Sequence, residues 1–123
     1  MKTLLLLAII AAGGSAVASE SVDSMPDQFI GEWNADVADC GIGRNDSVLK
    51  VDANTISYWE SVGFIQAIVV QGRREVALIA DMAGEGEEWL ATAHFKLSEA
   101  GDELVSMDER GGEFVRYRCP RSE

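Results

Sequence analysis

The sequence predicts an all-β domain: an eight-stranded antiparallel up-and-down barrel with one disulfide, or, as the alternative, a two-sheet β-sandwich. Three observations carry this. Trp89, Ala91, Ala93, Phe95 and Leu97 alternate with Glu88, Leu90, Thr92, His94 and Lys96, the period-two mark of a strand with one buried face. The same alternation recurs along the chain between glycine- and asparagine-bearing turns spaced about ten residues apart, and connections so short favour antiparallel neighbours. Cys40 follows the first patterned stretch and Cys119 ends the last. A closed meander would bring those two places together, within the roughly 7 Å that a disulfide spans.

The elements follow in order. Residues 1–18 read as a secretory signal peptide: Lys2, an apolar run over 4–12, and the small-residue cleavage site Ala16-Val17-Ala18. The chain after cleavage would begin at Ser19. Residues 19–28 are polar, with Pro26 and no periodicity, and read as a mobile leader with a helical turn capped by Ser24. The barrel domain, 29–123, opens with a strand at 29–35. A glycine-bearing loop at 40–46 leads to a second strand at 47–52, with Leu49 and Val51 facing inward. Ala53-Asn54 turns the chain into a third strand at 55–60. Gly63 breaks that strand from a fourth at 64–70, and Gly72-Arg73 leads to a fifth at 75–82. Ala83-Gly84-Glu85-Gly86-Glu87 is a hairpin connection into the sixth, which ends at Leu97. Ala100-Gly101-Asp102 and Gly111-Gly112 precede strands at 104–108 and 113–119, and Pro120, which cannot donate to a ladder, ends the last.

Composition narrows the function. The chain carries a net charge of −11, and loss of Lys2 with the signal would leave about −12. Such a surface repels nucleic acid and anionic lipid; it suits a cationic partner or plain solubility. Beyond the signal no apolar stretch is long enough for a bilayer, so a periplasmic or secreted protein without a membrane span is expected. In an oxidising compartment two cysteines are most simply one disulfide, closing a ring worth about 4 kcal/mol in the chain-entropy account. No C-x-x-C spacing supports a redox or metal pair.

The fourth and fifth predicted strands are apolar on both faces: Phe64, Ile68 and Val70 against Ile65, Ala67 and Val69, then Val76, Leu78 and Ala80 against Ala77 and Ile79. A small barrel buries one face. The other needs cover from the N-terminal segment or from a second subunit, and a homodimer through this wall is the expectation.

Few residues point to chemistry. Glu85, Glu87 and Glu88, with Asp81 nearby, could meet a cationic protein or a hard cation, though the spacing lacks the order of an EF-hand; the alternative is a solvated hairpin tip. His94 is the sole histidine and falls on the outer face with Thr92 and Lys96. It has no nucleophile or ligand set beside it, and no glycine-rich phosphate loop opens a helix. No catalytic residue, metal or cofactor is expected, and the protein is read as a binder rather than an enzyme. Trp89, Phe95, Trp59 and Tyr58 are candidates to line a cavity for a small apolar ligand, or else core residues.

Phe29-Ile30-Gly31-Glu32-Trp33 resembles the Gly-x-Trp opening strand of the lipocalin-like (calycin) barrels. The resemblance implies that Trp33 sits at the barrel base, covered by an arginine of the last strand, here Arg116 or Arg118. In size the chain is similar to two bacterial periplasmic groups. Serralysin-type metalloprotease inhibitors have a signal peptide, a Gly-x-Trp strand, one disulfide and an N-terminal tail that enters the protease. C-type lysozyme inhibitors act with a Ser-Gly-x-x-Tyr loop, whose nearest counterpart here, residues 83–89, lacks the serine and tyrosine. With its aromatic residues as candidates to line the barrel, the chain is expected to be a binding protein for a small apolar ligand held there. The alternative is an inhibitor of a hydrolase, working through Glu85, Glu87 and Glu88 or through the leader.

Overall fold

The computed structural model describes residues 18–42 and 45–121; the signal peptide read at 1–18 lies outside them save for its last residue. The strands are β1 (Ser19–Val22), β2 (Gly31–Asn34), β3 (Leu49–Val51), β4 (Thr55–Tyr58), β5 (Ser61–Gln71), β6 (Glu75–Gly84), β7 (Glu87–Leu97), β8 (Glu103–Met107) and β9 (Glu113–Arg118). From β2 onward each strand pairs antiparallel with the next, and β9 returns to pair with β2. The result is a closed eight-stranded up-and-down barrel with one extra strand, not a sandwich.

The closing seam is thin. Its ladder holds two residue pairs, Trp33 with Arg118 and Asn34 with Tyr117, extended by the Cys119 N–H donating to the Glu32 carbonyl at 2.8 Å. Beside it the Cys40–Cys119 disulfide joins the loop after β2 to the end of β9, with Cα atoms 5.6 Å apart. The covalent link therefore reinforces the place where hydrogen bonding is sparsest.

Inward-facing side chains fill the lower barrel: Trp33, Leu49, Val51, Ile56, Phe95 and Leu104 are all buried. The base is plugged by Met25 and by the 3-10 turn Asp27–Phe29, whose Phe29 is buried. Of the two arginines, Arg118 covers Trp33, its guanidinium 4.2 Å from the indole centroid. It donates to the Gln28, Ile30 and Gly101 carbonyls at 2.6, 3.0 and 3.0 Å, while the Trp33 indole N–H donates to the Phe29 carbonyl at 3.1 Å. Gly31 is required here. Its φ of +142° is one that side-chain-bearing residues rarely adopt, and a Cβ would stand 3.1 Å from Arg118 Nη1.

Three readings of the sequence are corrected. The 19–28 stretch is not structureless: β1 pairs with the far half of β5, from Ser19 with Gln71 to Val22 with Ile68. This pairing uses backbone groups that composition does not reveal. Its 3-10 turn begins at Asp27, after Pro26, not at Ser24. Gly63 lies inside β5 rather than breaking it, because on the inner face the missing Cβ makes room for Met82. Finally, the faces of β5 are exchanged midway. A bulge between Ile65 and Ala67 inserts one residue, so Phe64, Ala67 and Val69 point out while Ile65, Ile68 and Val70 point in.

Candidate functional site at the barrel mouth

The hairpin tips β4–β5, β6–β7 and β8–β9 lie at one end, the mouth. There the wall is incomplete: β8 pairs with β7 only at Phe95, Lys96 and Leu97, so β7 runs on toward the mouth past the last β8 ladder pair. The inner face of β7 records the consequence. Leu97 and Phe95 are buried, Ala93 and Ala91 are half-buried, and Trp89 is 43% exposed. The lower barrel is packed and the upper part is open to solvent.

Arg116 reaches into this region from β9. Leu104, Ser106 and Phe114 share its inward face by register. The residue is only 7% exposed. Its Nε donates to the Ser47 carbonyl at 2.6 Å and its Nη1 to the Ser106 hydroxyl at 3.0 Å. Its guanidinium lies over the rings of Phe114 and Tyr58, 4.8 and 5.7 Å from their centroids. No carboxylate among the described residues stands within ion-pair distance of it. Burial pulls its pKa below the usual arginine value, an effect that Tyr58 opposes. Burial likewise pushes the Tyr58 phenol up, opposed by Arg116. In a chain with 21 acidic residues, a buried cation with no counter-charge among the described residues is the unusual feature, since hydrogen bonds and ring faces meet its desolvation but no opposite charge does.

Ser47 anchors the post that holds this arginine. Its hydroxyl lies 2.7 Å from Asn34 Oδ1 and 3.0 Å from Asn45 Oδ1. The Nδ2 atoms of Asn34 and Asn45 are buried with no hydrogen-bond partner among the described residues.

Of the residues proposed to line a ligand site, Tyr58 and Trp89 stand at the mouth and Trp59 is exposed at the β4–β5 tip. Phe95 lies deeper, in the packed core at 1% exposure. Sequence reasoning missed Arg116, Ser106, Phe114 and Ser47 as a group. The available signal was a charged residue at an inward position of a period-two strand.

The acidic residues form a rim. Glu85 and Gly86 make the two-residue β6–β7 turn, with Gly84 opposite Glu87. Glu85 and Glu60, at the β4–β5 tip, both have left-handed backbones, φ 52° and 72°. The tips touch: a Cβ on Gly84 would collide with the Glu60 carbonyl oxygen. The Glu60 carboxyl is raised above its usual range, first by a hydrogen bond with Glu85, then by repulsion from that group. Glu87 and Glu88 are exposed beside them. Among the described residues no three histidine, cysteine or acidic side chains are arranged to hold a metal ion. His94, on the outer face, pairs with Glu75 at 2.6 Å. Comparison with protein-family models, curated proteins and solved structures found no match to this chain.

Proposed function

We propose that this is a non-enzymatic binding protein of an exported, oxidising compartment that holds a small apolar acid at the mouth of its barrel. One observation carries the reading: the buried guanidinium of Arg116 has no carboxylate partner among the described residues. An acid group from outside would supply the missing charge through charge-assisted hydrogen bonds. Phe114 and Tyr58, whose rings lie beside that guanidinium, offer apolar surface to the rest of the ligand. Because the core below is filled, the ligand is of modest size, a single ring or short chain. The test is a titration followed by tryptophan fluorescence, using phenylpropionate and its amide. The acid is expected to bind at least ten times more tightly than the amide, and Arg116→Met to abolish the difference. Equal binding of acid and amide, or no binding of either, overturns the reading.

A second reading rests on the rim. Glu60 and Glu85 stand on hairpin tips that touch, and a lysine or arginine of a basic hydrolase settling between their carboxyl groups would relieve the repulsion that raises Glu60. Salt-sensitive retention of lysozyme by the wild-type protein, lost in the Glu60→Gln, Glu85→Gln double variant, would support inhibition. Retention indifferent to the double substitution would remove it.

A further inference from the structure

The outer face of β5, β6 and β7 exposes Val62, Phe64, Val69, Ile79 and Leu90, and β1 does not shield it: β1 pairs along the edge of β5 instead. Register arranges the face in rows across the three strands: Val62–Ala83–Glu88, Phe64–Asp81–Leu90, Ala67–Ile79–Thr92, Val69–Ala77–His94 and Gln71–Glu75–Lys96. Phe64 and Leu90 project from the second row at 65% and 66% exposure. The third and fourth rows are lower, with Ala67 and Ala77, and form the floor of a groove of about 680 Å³ bordered by the β8–β9 tip at Asp108–Arg110.

We propose that two copies of this chain dock through this face, related by a two-fold axis that runs midway between them, parallel to the sheet and across the strands over the Ala67–Ile79–Thr92 row. Such an axis places the second row of one copy on the fourth of the other, so that the Phe64 and Leu90 projections enter the partner's groove. It also places the first row on the fifth. The outer face of β7 reads acid, apolar, neutral, histidine, base from Glu88 to Lys96; reversal brings Glu88 of each copy to Lys96 of the other, and sets the exposed Asp81 of the second row on Ala77, beside the partner's His94. Shape and charge are thus both self-complementary, as an isologous contact requires. Aligned packing of the two sheets is an ordinary arrangement of β-surfaces. Three strands' width gives a footprint at the small end of specific interfaces, so a dissociation constant on the order of micromolar is expected.

Ile79 lies on the axis and meets its own copy, so one substitution places two charges face to face. Sedimentation velocity of the disulfide-bonded chain from Ser19 onward, over micromolar to submillimolar concentrations, is expected to show a monomer–dimer equilibrium. Ile79→Asp should shift it at least a hundredfold toward monomer while leaving the melting curve of the dilute protein unchanged. Lys96→Glu should weaken association severalfold, and the exchange Glu88→Lys with Lys96→Glu should restore it. A wild-type protein that stays monomeric throughout overturns the proposal, and so does a dimer indifferent to Ile79→Asp.

Discussion

Arg116 and Arg118 stand two residues apart on the same inward face of β9, and their surroundings give them different work. Arg118 satisfies three backbone carbonyls and covers Trp33, tying the base plug to the wall. Replacing it with methionine strands those carbonyls and removes a cation–π contact. A loss of about 2–4 kcal/mol is expected in urea unfolding, with the slope of the transition unchanged. Gly31→Ala should destabilise through the same contact and through its backbone angle. The resemblance of the opening strand to calycin barrels already implied an arginine over Trp33. It did not say which, because that depends on the strand's height at the seam, fixed by the pairing of Trp33 with Arg118. Nor did it show that the remaining arginine would be buried without a carboxylate, since that follows from where acidic residues are absent in space.

Among the elements, alternation and turn residues sufficed to locate all eight barrel strands, because each strand has one face in the core. What escaped was local. The β5 bulge reverses the faces with no change in apolar character, and β1 pairs with the open edge of β5 while only Val22 of its side chains packs against the core. The touching tips of β4–β5 and β6–β7 were also beyond reach, being a matter of how far each hairpin extends. They carry a pH prediction. The Glu60 carboxyl is raised in the folded protein, so the fold binds that proton more tightly than the unfolded chain. Its contribution to stability is present below the ordinary carboxylate value of 4.5 and is lost as pH rises through the elevated folded value. Glu60→Gln should therefore melt higher than wild type at neutral pH. The advantage should disappear as the pH falls below that range, and a melting series across pH checks it.

For the whole molecule, closure depends on two ladder pairs and one disulfide at the β2–β9 seam. The cysteines are 79 residues apart in sequence, and constraining a loop of that length is worth about 4.5 kcal/mol in the chain-entropy account. The Cys40→Ser, Cys119→Ser protein should melt roughly 20 °C lower or more, with fluorescence and circular dichroism reporting the loss together. The barrel was legible because its termini of pattern coincide with its cysteines; the mouth was not, because it arises where β7 outruns β8.

The functional account makes Arg116 a cation kept for a ligand at the expense of the fold. The melting temperature of Arg116→Met, measured beside wild type without added ligand, tests this most directly. Relief of a buried charge that no carboxylate balances should offset the hydrogen bonds lost to Ser47 and Ser106, so the melting temperature should change far less than for Arg118→Met. A fall of several degrees, like that expected for Arg118→Met, would make Arg116 a structural member of the barrel and contradict the account.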